Sequence, residues 1–379
     1  MAVYSRHDGA RMGFSRRLLQ INWLLVVLIC LTASIGFVML YSAAGGNLEP
    51  WATRQMVRFG LGLVGMVIVA MIDIRIWMQL AYPAYLVSLA LLGAVEIVGS
   101  GAMGAQRWID LGFFQLQPSE LVKVAMVLAL ARYFHGRTHA QIGNPLFLIP
   151  PLLIVFIPAA LVMRQPDLGT AVMIIAVGGG LFFLAGVRIW KFVLVIVAAV
   201  AAVPIAWQYL HDYQRQRILT FFDPESDPLG SGYHIMQALI ALGSGGMFGK
   251  GYMQGTQSNL DFLPEKQTDF IFTMLSEEFG FVGAMTLIGL YLVLIVFGYA
   301  IALRSRNQYG RLVALGLTSA FFLYIFINIA MVMGLIPVVG VPLPLVSYGG
   351  TALLALLFSF GLVLNVHVYR DVRLGRPEE

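Results

Sequence analysis

Three carboxylates spaced four residues apart, Asp261, Glu265 and Asp269, occupy the stretch Asn259-Leu260-Asp261-Phe262-Leu263-Pro264-Glu265-Lys266-Gln267-Thr268-Asp269-Phe270-Ile271-Phe272. A long apolar run follows directly. Acids at a bilayer face must be held in water, by cation partners or in a site. Such a carboxylate can take a proton from a hydroxyl, and nearby Lys or Arg can steady negative charge that develops on a leaving group. Two further segments carry cations suited to steadying such charge. They are Gly104-Ala105-Gln106-Arg107-Trp108-Ile109-Asp110-Leu111-Gly112 and Gln117-Pro118-Ser119-Glu120-Leu121-Val122-Lys123.

The elements that position these residues must be membrane helices. Of 379 residues, 59% are hydrophobic and 11% charged, whereas a soluble domain carries roughly a quarter charged residues. The expectation is an all-α, polytopic membrane protein forming a single integral membrane domain over 1–379. On a ruler of roughly 20 apolar residues per crossing, ten spans are read at 20–42, 57–73, 76–98, 119–134, 146–163, 168–186, 188–208, 276–303, 312–335 and 347–369. One large extracytoplasmic loop, 209–275, separates the seventh from the eighth. The first run is too long for a signal-peptide core and reads as an uncleaved span. Lys and Arg set the orientation: with a cytoplasmic N-terminus, 15 of 24 basic residues fall inside and only four in short outer links. Both termini are therefore expected in the cytoplasm and the large loop outside. The +5 net charge is no nucleic-acid signal, because the basic residues are dispersed between apolar runs.

Each polar segment has a plain structural reading beside its chemical one. Pro118 suits a first helical turn, Glu120 favours the helix dipole, and Glu120 and Lys123 share a face; alternatively, Lys123 points into a polar cavity and meets an anionic ligand. Arg107-Trp108 is either an interfacial anchor or a charge with a stacking face for a sugar. In Arg164-Gln165-Pro166-Asp167-Leu168-Gly169-Thr170, Asp167 caps the next helix, or Arg164 faces a phosphate. Asp223, Glu225 and Asp227 are oxygen-rich turn residues that could hold a divalent cation. Pro337 to Thr351 contains three prolines and cannot form a regular helix, so it is expected as a re-entrant wall. Ser347 is expected to cap the tenth span.

Several chemistries are disfavoured. Gly243 to Gly251 lacks the Walker A pattern, since Ser244 and Gly251 stand where Gly and Ser or Thr are needed; it reads as a flexible or closely packed loop. The six His are scattered, there is no His-Glu-x-x-His, and no Ser lies in a Gly-x-Ser-x-Gly setting. Cys30 is the only cysteine, which excludes an internal disulfide.

The segments Gly104 to Gly112, Gln117 to Lys123, Gln165 to Thr170, Gly255 to Phe272 and Pro337 to Thr351 closely resemble the shape, elongation, division and sporulation (SEDS) family. The ten-span plan resembles it too. Gly255-Thr256-Gln257-Ser258 and the short N-terminal tail look more like its cell-elongation branch than its division branch. The resemblance implies a peptidoglycan glycosyltransferase that polymerises lipid II outside the plasma (inner) membrane during elongation and cell-shape maintenance. It implies partnership with a class B penicillin-binding transpeptidase and other elongation-complex membrane proteins. The family's essential aspartate falls on Asp269, its important Trp on Trp108, and its outer-cavity positions on Arg107, Glu120, Lys123 and Arg217. Many members have His where this chain has Gln267, which leaves the Asp269 carboxylate as the base. Arg107, Lys123 and Arg217 are then the pyrophosphate partners. Asp261 and Glu265 contact a regulatory partner or cap the loop. No cofactor is certain, and a divalent cation, Mg or Mn, shared by Asp269 and nearby acids stays open. The rival reading is a lipid II flippase; rim-clustered charges and the lack of an internal repeat count against it.

Overall fold

The computed structural model describes residues 13–102, 105–110, 112, 115–209, 215, 219–223, 231–260, 262–263 and 265–375. A short α1 (Phe14–Gln20) precedes α2 (Trp23–Ala43), α3 (Ala52–Met71), α4 (Ile74–Val98), α5 (Pro118–Phe134), the small α6 (His139–Gly143), α7 (Ile149–Arg164), α8 (Leu168–Leu184) and α9 (Ile189–Tyr209). The large insertion contributes α10 (Ser231–Ser244) and α11 (Thr256–Asn259); α12 (Ile271–Arg304), α13 (Gln308–Val332) and α14 (Gly350–Val368) follow. Among the described residues, seven helices are long and apolar enough to cross a membrane. Three more lie at the other expected spans: α5, α8 and α9. The protein is a multi-pass membrane protein.

Helix α5 is the hub. Nearly every residue from Pro118 to Ala131 is buried, as expected of a helix that is apolar on all sides. By contrast, Val193 to Val197 of α9 are all exposed, a surface suited to lipid. Small residues bring helix backbones together, the usual device where water supplies no driving force between helices. A Cβ on Gly62 of α3 would lie 2.4 Å from Leu357 of α14, and one on Gly298 of α12 would lie 2.3 Å from Thr318 of α13.

Some element boundaries differ from expectation. The α3 helix begins at Ala52, five residues before the expected span, so Gln55 belongs to it and not to a preceding loop. The 100–116 link holds a three-stranded antiparallel sheet, β1 (Ser100–Ala102), β2 (Ala105–Asp110) and β3 (Gln115–Leu116), paired in that order. Strands this short carry too few residues for a period-two pattern to show. Thr351 at the start of α14 anchors the sheet: its hydroxyl donates to the Gln115 carbonyl at 2.6 Å and accepts from the Gln117 N–H at 3.2 Å.

The proline-rich stretch before α14 is a non-helical wall, and its buried polar groups are bound by neighbouring elements. Asn328 donates to the Val341 carbonyl at 2.7 Å, Tyr291 to that of Pro344 at 2.6 Å, and Gln55 to that of Ser347 at 2.9 Å. These partners meet the condition for irregular backbone at membrane depth. The wall also presses on α2, where a Cβ on Gly36 would sit 2.7 Å from the Val346 Cα. Ser347 does not cap α14. The N-cap is Gly349, without a side-chain bond; the Ser347 hydroxyl instead accepts from the Leu343 N–H at 2.8 Å and donates to the Thr268 carbonyl at 2.6 Å. The Leu343 N–H, not an α14 N–H, takes the accepting role of the hydroxyl that a cap would use.

The α12 helix breaks at Gly280 (φ 65°, ψ −162°). The glycine run 243–251 packs into this break: Phe281 N–H donates to Gly246 O at 2.9 Å, and Lys250 N–H to Glu277 O at 3.0 Å. A Cβ on Gly280 would lie 2.3 Å from the Gly249 nitrogen. The run is the closely packed loop of the two expected alternatives.

Candidate active site

Asp269 ends the turn that leads into α12 and is half-buried. Three contacts fix the backbone around it to the wall. The Asn328 amide donates to the Asp269 carbonyl at 3.0 Å as well as to Val341. The Ser347 hydroxyl donates to the Thr268 carbonyl, and the Tyr348 N–H donates to that of Gln267 at 2.8 Å. A carboxylate oxygen of Asp269 faces Gly340, where a Cβ would be 3.4 Å away. Gly340 itself has φ 75°, a conformation that glycine adopts without strain.

The wall also borders a cavity of about 60 Å³ whose lining includes Glu120, Lys123, Tyr324, Leu343, Ser347 and Leu353. It has room for a few waters. Glu120 and Lys123 form the i,i+3 pair at 2.8 Å. The Tyr324 hydroxyl joins them, donating to Glu120 at 2.8 Å and accepting from the Lys123 ammonium. Both charges are over nine-tenths buried. Thus Lys123 does reach a cavity, and it does so already bound by a carboxylate and a phenol.

Arg107 projects from β2. Its guanidinium lies 3.5 Å from the Asp167 carboxylate and donates to the Pro166 carbonyl at 3.0 Å. Asp167 is the N-cap of α8, accepting from the Thr170 N–H at 3.1 Å, so its capping role and its ion pair coexist. Two residues on, Gly169 packs against Val339, the neighbour of the Gly340 that faces Asp269. Residues 339–347 of the wall thus touch Gly169 beside Asp167, face Asp269, and help line the cavity that holds Glu120, Lys123 and Tyr324.

Trp108 and Glu265 are the other expected residues among those described. Trp108 is half-buried on β2 opposite Ser100. Glu265 is exposed with φ 49° and accepts from Thr268 and Gln267 at 3.2 and 3.1 Å within its own turn, which is loop-capping geometry. Asp261, Arg217, Glu225 and Asp227 lie outside the described residues. Among the described residues, no group of three His, Cys, Asp or Glu converges to hold a metal.

Sequence reasoning missed four participants. Arg58 of α3 sits over the Tyr348 ring at 5.3 Å, and Gln55 holds Ser347 and Gly349. Asn328 and Tyr324 are single polar residues within an apolar span; their polarity at that depth was the available signal. The same signal marked Glu277, which is 0% exposed and paired with Lys250 at 2.7 Å. Outside the spans, burial raises the Tyr252 phenol above its ordinary range, helped by the nearby Glu278 carboxylate.

With this arrangement in view, comparison with known proteins is decisive. Residues 22–372 match the model of the FtsW, RodA and SpoVE family, described as cell cycle proteins. The chain belongs to this family. It is 45% identical over 359 residues to the peptidoglycan glycosyltransferase MrdB of Escherichia coli (strain K12), covering 92% of this chain and 93% of that one. It is 37% identical to the stage V sporulation protein E of Bacillus subtilis (strain 168), covering 91% and 96%. The fold superposes with a TM-score of 0.80 on a chain from a study of how a peptidoglycan synthase complex coordinates polymerization and crosslinking, at 36% identity and covering 93% and 98%. It superposes with a TM-score of 0.71 on the Thermus thermophilus rod shape determining protein RodA, at 32% identity and covering 93% and 98%. For this family member the SEDS expectation therefore holds along nearly the whole chain.

Proposed function

We propose that the chain is a peptidoglycan glycosyltransferase that polymerises lipid II at the outer face of the plasma membrane, with Asp269 as the general base. Lipid II brings a sugar bearing a polyprenyl pyrophosphate, and a second molecule brings the attacking hydroxyl. Asp269 takes the hydroxyl proton as the oxygen attacks the anomeric carbon, and the pyrophosphate departs from the opposite side. That geometry inverts the anomeric centre, turning an α-linked donor into a β-linked polymer. A positioned base contributes about 10²–10⁴-fold, and cations opposite the leaving group add to it.

The single observation that carries this reading is the anchoring of Asp269: a half-exposed carboxylate on a backbone pinned to the wall by Asn328, Ser347 and Tyr348. Preorganisation of this kind suits a base. Arg107, with 35% of its side chain exposed, is the better placed of the described pyrophosphate cations; Lys123 acts from within its pair, and Arg217 completes the set. Both termini are cytoplasmic, and a class B transpeptidase crosslinks the product alongside other elongation-complex proteins.

The test is polymer formation from lipid II by the purified chain, native and Asp269→Asn. The native chain should build glycan strands, and the variant should lose at least about 10²-fold in turnover with its thermal stability intact. Wild-type turnover by the variant would refute the base assignment. Absence of polymer from the native chain, with lipid II crossing vesicle bilayers instead, would favour transport.

A further inference from the structure

A second hollow, of about 490 Å³, lies at the opposite end of the bundle from Asp269. Its walls are the α1–α2 link and the last turn of α14: Gln20, Asn22, Trp23, His367, Arg370 and Asp371 are the polar and amphipathic members. The distance between the two ends follows from the helices. Gly350 starts α14 just after Tyr348, which is bonded to Gln267, and the helix runs 19 residues to Val368. At 1.5 Å per residue this is about 28 Å, close to the thickness of a bilayer's hydrocarbon core. The hollow therefore sits where two membrane spans terminate, at headgroup depth.

Its charges are arranged for an anion. The Arg370 guanidinium is 3.4 Å from His367 Nε2 and 3.6 Å from the Asp371 carboxylate. Asp371 is shared with Arg306 at 3.3 Å, so one carboxylate serves two guanidiniums and leaves positive charge in excess. His367 lines the hollow and turns its Nε2 to Arg370, while its Nδ1 is buried away from the opening. Trp23 is 46% exposed at the rim, its indole N–H held by the Leu18 carbonyl at 3.2 Å; Trp is favoured at headgroup level. Leu19 and Phe14 on α1 are 79% and 73% exposed and offer apolar surface beside the polar hollow. The volume falls within the range of small-molecule pockets, roughly 300–1,000 Å³.

We propose that this hollow binds the phosphodiester headgroup of an anionic phospholipid, with Arg370 as the phosphate partner and His367 positioning its guanidinium. Basic pockets at the ends of membrane helices hold such headgroups through charge-assisted bonds, while acyl chains lie along Trp23 and the exposed face of α2. The site is remote from glycosyl transfer and does not depend on the role given to Asp269.

The experiment uses the purified full chain in a neutral detergent, read by native mass spectrometry and by thermal melting. The added probes are phosphatidylglycerol, phosphatidylcholine, glycerol phosphate and inorganic phosphate. Phosphatidylglycerol should be retained and should raise the melting temperature, while phosphatidylcholine should do neither. Arg370→Gln should lower phosphatidylglycerol occupancy about tenfold or more, whereas Arg16→Gln, an exposed cation outside the hollow, should change it little. His367→Gln should show a smaller loss in the same direction and keeps the test decisive should Arg370→Gln fail to fold. Equal losses in the Arg16 and Arg370 variants would overturn the proposal in favour of diffuse surface attraction. Equal stabilisation by inorganic phosphate or glycerol phosphate would overturn the lipid assignment.

Discussion

Asn328 offers the sharpest test of how the wall serves the site. Its amide donates to two carbonyls at once, Asp269 at 3.0 Å and Val341 at 2.7 Å, and the side chain is fully buried. Replacing it with Ala or Leu removes both bonds, one to a buried carbonyl and one to a part-buried one. The buried Val341 carbonyl left without its donor costs about 1–3 kcal/mol if the backbone holds still, and the part-buried Asp269 carbonyl adds less. Relaxation is the cheaper course: the two strands of backbone part, and the Asp269 carbonyl moves toward water. A displacement of about 1 Å at a reacting group costs on the order of 10²-fold in rate. Asn328→Ala should therefore lower kcat between about 10- and 100-fold in lipid II polymerisation, with KM changed much less, and should lower the melting temperature. Asn328→Gln, which keeps the donor, should recover part of the rate. If Asn328→Ala polymerises at the native rate while melting earlier, the amide supports only the fold, and Asp269 is not aligned through its backbone.

Three further outcomes can be checked. Gly280→Ala should abolish accumulation of folded protein in membranes, because the residue has φ 65° and a Cβ would meet the Gly249 nitrogen at 2.3 Å; normal yield and melting would show that the break is not needed. Lys250→Met strips Glu277 of its cation in a fully buried setting, a change worth about 3–5 kcal/mol, and the double variant with Glu277→Gln should melt closer to the native chain than Lys250→Met alone. Tyr324→Phe removes the hydroxyl that bridges Glu120 and Lys123; it should reduce polymerisation several-fold while the Glu120–Lys123 pair preserves stability, and an unchanged rate would place the phenol outside the reaction.

What the amino-acid sequence determined by itself is what depends on local composition and period. The long apolar runs could only be membrane helices, since no other open structure satisfies its backbone in lipid, and seven helices among the described residues are long and apolar enough to cross. Pro118 at the start of α5, Asp167 as the cap of α8 and the Glu120–Lys123 pair were legible because each rests on residues within one helical turn. The family motifs pointed to Asp269 for the same reason: they are contiguous. The tertiary structure decided the rest, because the partners lie far apart in the chain. Asn328 meets Asp269 across 59 residues, Tyr324 meets Lys123 across 201, and Gln55 meets Ser347 across 292. Ser347 shows the limit most plainly. Adjacent sequence favours it as a helix cap, but packing draws its hydroxyl between two other partners: it accepts from the Leu343 N–H and donates to the Thr268 carbonyl, while Gly349 ends the helix without a side-chain cap.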